Sequence, residues 1–257
     1  MKAKFEKTFD DSARDYDNSR PSYCPELYRD LLQYQPLDSA SKALEIGIGT
    51  GKATLPILET GCHVIGIEPG ENLARYTTER FRKFNNFELH CQVLQEFEAP
   101  EESFDLIYAA TAFHWIPEEY GYPRVYELLK KGGTFARFAY HAGSDQGRPE
   151  LTKEIQGLYK QFMGSTGKGK VYGEEEAKAL TKLAEKYGFT DTEYKLYNWK
   201  KDFSADEYMQ LLKTYPDHMR LEDEKRKGLF EGIYQAIQKH DGVITVYYTM
   251  DMQLARK

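Results

Sequence analysis

Residues 43–69 read ALEIGIGTGKATLPILETGCHVIGIEP. Glu45, Gly47, Gly49 and Gly51 fall at every second position, and a second apolar run closes on Glu68 and Pro69. Glycines spaced this way can take positive φ and let a ligand come close to the backbone. A helix that begins after them presents N–H groups with no partner inside the helix to a polar ligand. A carboxylate at the end of the next strand is placed to accept two hydrogen bonds from a ribose diol. The pattern thus points to recognition of a nucleoside-like molecule. A dinucleotide fingerprint would require its third glycine at Lys52, counting from Gly47, or at Thr54, counting from Gly49, so it fails in both registers. No Gly-Lys-Ser/Thr run follows, so a phosphate-binding P-loop fails as well.

Such a site needs a sheet edge. Apolar runs at 42–46, 63–68, 87–92, 104–110 and 133–140 alternate with helical patterns around 52–60, 71–83 and 120–131. This alternation predicts a parallel sheet covered by helices, with right-handed crossovers. Ahead of it, residues 1–40 read as helical pieces broken at Pro21, Pro25 and Pro36. Beyond Tyr140, HAGSDQGRP reads as a loop, 149–163 and 174–187 as helices, and 164–173 as a flexible connection. A strand is expected at 190–199. Ser204 and Glu207 then stand at capping-box spacing before a helix. A further helix is expected at 221–240, followed by a β-branched, aromatic final strand. The long stretch between the last two strands exceeds what a hairpin needs. It is expected to cover a site.

The 257 residues suit one α/β domain with an elaboration. The net charge of −6 argues against a protein that grips a phosphate backbone, because those carry a basic face. There is no apolar run of about 18 residues to span a membrane, and the polar N-terminus lacks the apolar centre of a signal peptide. Cys24, Cys62 and Cys91 are scattered, without metal-ligand spacing. A cytoplasmic enzyme with no bound metal is the expectation.

The E-x-G-x-G-x-G run resembles motif I of the class I S-adenosylmethionine (SAM) methyltransferases. VIGIEP, SFDLIYAATAFHWI and ELLKKGGTF resemble their later motifs. YDNSRPSY resembles the N-terminal segment of the small-molecule branch that includes trans-aconitate and ubiquinone/menaquinone-type enzymes. The resemblance implies a Rossmann-like, seven-stranded, mostly parallel sheet whose last strand is antiparallel. It also implies three regions: an N-terminal helical lid over 1–40, a SAM-binding core over 41–140, and the remaining core over 141–257 with a helical cap at about 198–240. SAM would be the methyl donor, and S-adenosylhomocysteine the product. The resemblance implies cofactor contacts from Glu45, Gly47, Gly49, Gly51, Glu68, Pro69 and Ala109. It adds Gln95 and Glu96 near the adenine, and Tyr16 and Arg20 from the lid.

Methyl transfer is an in-line displacement, so positioning and exclusion of water supply much of the acceleration. A general base is needed only where the acceptor carries a proton of high pKa; a carboxylate acceptor needs none. His114, just past the fourth strand, is the candidate base or acceptor-binding group. Tyr23, Trp115, Tyr215 and His218 are candidate acceptor-side residues. AATA stands where many enzymes that methylate the exocyclic amines of bases carry [DN]-P-P-[YF]. The acceptor is therefore expected to be a small molecule, with no nucleic acid. A macromolecular acceptor, a SAM-binding protein without transferase activity, and a dehydrogenase are the alternatives; the failed fingerprint disfavours the last.

Overall fold

The computed structural model describes residues 17, 19–165 and 172–257. Tyr16 and most of the expected connection at 164–173 lie outside the described residues. Seven strands form one sheet: β1 (Lys42–Ile46), β2 (His63–Ile67), β3 (Phe87–His90), β4 (Phe104–Ala110), β5 (Leu129–Gly143), β6 (Thr190–Ser204) and β7 (Val243–Arg256). Their order is β3-β2-β1-β4-β5-β7-β6. The pairs β1–β2, β1–β4, β2–β3 and β4–β5 are parallel. β7 runs against β5: Lys257 exchanges hydrogen bonds with Gly132 and Gly133 at one end, and Tyr247 lies beside Gly143 at the other.

β1 and β2 are buried on both faces, as parallel strands under helices must be. Side chains alternate between two cores. Ala43, Val64, Leu106 and Tyr108 face one core, which also holds Leu27 and Leu31. Leu44, Ile65, Ile107 and Ala109 face the other, with Val125 and Leu128.

Several elements depart from the sequence reading. The helix expected at 52–60 shortens to Leu55–Leu58, and Thr54 just before it donates its hydroxyl to Glu45. Pro25 starts the helix Pro25–Tyr34 instead of breaking it, since a first-turn proline forfeits no helical hydrogen bond. β3 ends at His90 rather than at 92, being short and only half-buried. β5 is longer than 133–140: a bulge between Phe104 and Leu106 admits the added residues, and His141–Gly143 continue the strand. β6 likewise extends to Ser204.

The chain divides into two compact units. One comprises Ser22–Tyr140, Tyr172–Tyr197 and Met250–Lys257. The other comprises the stretch ending at Pro21, the stretch beginning at His141, and Asn198–Thr249. The division runs through the expected lid: residues 22–40 belong with the sheet core. The second unit also takes in more than a cap at 198–240. Its helix Pro149–Met163 lies against helix Asp223–Lys239, where Gly228 and Gly232 approach Phe162 and Leu158 too closely for any side chain. Asp145 ties the unit together by accepting from the Thr245 N–H at 2.9 Å and the Arg148 guanidinium at 3.1 Å.

Candidate functional site

The glycine run follows β1 at the carboxyl edge of the sheet. The N–H groups of Gly47 and Ile48 both donate to the Ile67 carbonyl, at 2.9 and 3.1 Å, so the loop crosses the end of β2. Gly49 donates to Glu68 Oε2 at 2.9 Å, and Gly70 donates to Glu68 Oε1 at 3.0 Å. These donors hold the carboxylate in one orientation and use two of its roughly four acceptor sites. Glu68 is only 7% exposed, whereas a strand-end carboxylate is ordinarily solvated. Helix Glu71–Phe81 clamps the loop from outside: Thr77 donates to the Gly49 carbonyl at 2.6 Å, and Arg80, one turn on, donates to that of Thr50 at 2.9 Å.

Gly49 has φ +57° and open space where a side chain would stand. A ligand can approach the backbone there. Gly51 has φ +76° for a different reason: a Cβ would lie 2.3 Å from the Phe81 ring. It permits packing.

Beneath the loop, Glu45 is 1% exposed. Its Oε2 accepts from Thr54 at 2.6 Å and from Tyr108 at 2.7 Å, while Oε1 is buried with no hydrogen-bond partner. Desolvation pushes its pKa up to about 7. The two hydroxyls oppose that rise, and the nearby Glu68 charge adds to it. A carboxyl whose folded pKa is raised binds its proton more tightly in the folded state. The stability this gives is full below the unfolded value near 4.5 and is lost as pH rises through about 7. Thermal unfolding without ligand is therefore expected to fall by ~2 kcal/mol between pH 5 and 7.5, and Glu45→Gln is expected to flatten that slope. An unchanged slope in the variant would assign the dependence elsewhere.

The remaining residues singled out from the sequence fall in several places. Pro69 is half-buried between Glu68 and Gly70; Gln95 and Glu96 are exposed in the turn after β3. Ala109 points into the core, so only its backbone can meet a ligand. His114 and Trp115 are exposed on the short turn Phe113–Trp115, with ring centroids 4.9 Å apart. Tyr23 is in the sheet unit, its hydroxyl 2.6 Å from that of Thr111 and its ring edge-on to Phe138. Thr111 has φ +55° just past β4, a strained geometry for a β-branched residue. Such strain concentrates at functional sites.

Arg20, Tyr215 and His218 lie together in the other unit. Arg20 donates to the Thr214 carbonyl at 2.8 Å, and its guanidinium sits 4.1 Å from the Tyr215 ring centroid. His218, 8% exposed, pairs through Nε2 with the Tyr159 hydroxyl at 2.9 Å. Burial drives its pKa down to about 4; Asp217 opposes that shift and Arg20 adds to it.

Sequence reasoning missed Thr54 and Tyr108, which grip Glu45, and Thr77 and Arg80, which hold the loop. The three-residue spacing of Thr77 and Arg80 on one helix face was a usable signal. No local signal marked Thr111 or Tyr159.

Residues 43–133 match the model of a methyltransferase domain. A protein named as a methyltransferase in Dictyostelium discoideum is 30% identical over 137 residues, covering 53% of this chain and 50% of its own length. The chain thus spans half of that relative. An uncharacterised methyltransferase of Schizosaccharomyces pombe is 25% identical over 237 residues, covering 90% of this chain and 88% of its own. Among solved structures, a protein named as a type II methyltransferase from Anaeromyxobacter dehalogenans aligns with a TM-score of 0.61 at 18% identity, over 92% of this chain and 97% of its own. A phosphoethanolamine N-methyltransferase of Haemonchus contortus, in complex with phosphomonomethylethanolamine and S-adenosylhomocysteine, aligns at 0.57 and 18% identity, over 96% of this chain and 57% of its own. The matched methyltransferase domain thus takes in the whole glycine loop, Glu68 and β4, and the solved methyltransferase structures share the fold of this chain.

Proposed function

We propose that the protein transfers a methyl group from SAM to a small-molecule acceptor. The observation that carries the cofactor half is the Gly49–Glu68 pairing, a buried carboxylate fixed beside a backbone with open space above it. The residues fit a nucleoside with an amino-acid tail. Glu68 would take the ribose diol. The Gly49 backbone would line the ligand, and the unpartnered Oε1 of Glu45 is a buried acceptor for a polar tail. Gln95 and Glu96 would lie toward the adenine, with Pro69 beside the ribose. When bound, SAM supplies an electrophilic methyl group on a sulfonium. His114, on the turn after β4, is retained as the candidate group for orienting or deprotonating an acceptor.

A net charge of −6 supports a small acceptor over a nucleic acid. The unit that includes Asn198–Thr249 is assigned to acceptor choice, because the glycine loop, Glu45 and Glu68 all lie in the sheet unit. The protein is expected to act in the cytoplasm.

Calorimetry is expected to show micromolar binding of SAM and S-adenosylhomocysteine and none of NAD; NAD binding without SAM binding would overturn the cofactor reading. With methyl-labelled SAM and a cell extract, label is expected in the filtrate of small molecules. Label confined to protein or nucleic acid would overturn the acceptor reading.

A further inference from the structure

The buried carboxyl under the glycine loop has hydrogen bonds on only one of its two oxygens. Glu45 stands near the end of β1, in register with Tyr108 of β4. Thr54 comes just before the helix that follows the loop. All three residues are at most 1% exposed and belong to the sheet unit.

An ionised carboxylate only accepts hydrogen bonds, at about two sites on each oxygen. In that form the hydroxyls of Thr54 and Tyr108, at 2.6 and 2.7 Å, both donate to Oε2 and fill it. Oε1 is just as buried and has no hydrogen-bond partner. One donor on each oxygen would satisfy the group more evenly. Two donors on one oxygen fix the side chain and leave the other oxygen its full capacity to accept. A buried oxygen that shares a negative charge is costly unless something donates to it. The facing groups do not do so. Glu68, at the end of β2, is negative and raises the Glu45 pKa further. The Tyr28 hydroxyl, from helix Pro25–Tyr34, is an electrostatic neighbour of Glu45 but makes no hydrogen bond. A desolvated anionic oxygen in this setting is best completed by a cationic N–H donor. The amino-acid end of SAM carries one, its α-ammonium group.

Resting on the methyltransferase reading, we propose that Thr54 and Tyr108 are positioning residues for the amino-acid end of the cofactor: by both donating to Oε2 they reserve Oε1 of Glu45 for the α-ammonium group and favour the ionised carboxylate that receives it. The same donors set a pH dependence. Desolvation raises Glu45 to about 7 against the pull of the two hydroxyls, with Glu68 adding to the rise. An ammonium ligand favours the ionised form, so its affinity is gained as pH rises through about 7. Removing either hydroxyl takes away a group that favours ionisation and moves that gain to higher pH. Loss of packing alone would not move it.

The test compares two probes on the full chain by calorimetry, from about pH 5.5 to 7.5. S-adenosylhomocysteine has the ammonium end; 5′-methylthioadenosine has the nucleoside and thioether without it. In the parent, the affinity ratio of the first to the second is expected to rise at least tenfold, roughly, across this range. Glu45→Gln is expected to flatten that rise. Tyr108→Phe and Thr54→Val are each expected to weaken S-adenosylhomocysteine by about 5–20-fold at pH 7 and to shift the rise upward in pH. Methylthioadenosine is expected to bind both variants within about threefold of the parent, which also reports that the site is folded. Thr54→Ser, which keeps the hydroxyl, is expected to restore the parent ratio. An unchanged ratio in Tyr108→Phe and Thr54→Val, or equal losses for the two probes, would reduce both residues to packing and overturn the proposal. So would a ratio that does not vary with pH in the parent. A parent that binds neither probe would overturn the cofactor reading itself.

Discussion

Replacing Glu68 with alanine is expected to raise the dissociation constant for SAM by about 10–150-fold, equivalent to ~1.5–3 kcal/mol for hydrogen bonds to a charged acceptor. The same change is expected to lower folding stability by ~2–4 kcal/mol, since the Gly49 and Gly70 N–H groups each lose a buried acceptor. A strand-end carboxylate is ordinarily solvated and its loss would hardly change stability; the burial of Glu68 reverses that. Glu68→Gln keeps the volume and one acceptor oxygen but turns an amide NH2 toward a backbone N–H. It is expected to recover part of the stability and little of the affinity. Calorimetry with SAM and urea unfolding measure the two effects separately. A folded Glu68→Ala protein that binds SAM within twofold of the parent would remove Glu68 from the site.

The glycines of the loop are expected to separate into two kinds. Gly51→Ala places a Cβ 2.3 Å from the Phe81 ring at φ +76°. A left-handed conformation costs a residue with a side chain ~1–2 kcal/mol, and overpacking adds ~1–3. The variant is therefore expected to lose ~2–5 kcal/mol of stability, and adding Phe81→Leu is expected to return part of it. Gly49→Ala meets nothing within 4 Å. It is expected to lose only the ~1–2 kcal/mol conformational cost, yet to bind SAM at least tenfold more weakly because the methyl group enters the ligand's approach. Denaturant titration and SAM binding on both variants check the ranking. If Gly49→Ala proves the less stable of the two and binds SAM normally, the open face at Gly49 is not the cofactor's.

How far the sequence goes can be judged at these same residues. The doubly buried runs KALEI and HVIGI, and the alternation of FDLIYAA between two cores, identify parallel strands with no further information, because only a sheet covered on both faces uses such runs. The Glu45–Gly51 spacing and Glu68 identify the cofactor edge for a similarly local reason: a turn needing positive φ sits directly between a strand and a helix. The capping box at Ser204 and Glu207 is local too, and it forms as the spacing predicts. What depends on distant partners was not legible. Thr54 and Tyr108 meet at Glu45 from different elements. The ends of β5 and β6 depend on β7 running between them, and β7 is the last segment of the chain. Arg20 and Tyr23, three residues apart, go to different units because Thr214 and Tyr215 hold one while Thr111 and Phe138 hold the other. By itself the sequence determined the central strands and the loop chemistry, since each is written in neighbouring residues. The tertiary structure alone decided the burial of Glu68, the raised pKa of Glu45 and the grouping of Arg20, Tyr159 and His218. Desolvation and hydrogen bonding across the fold depend on which distant groups are brought together.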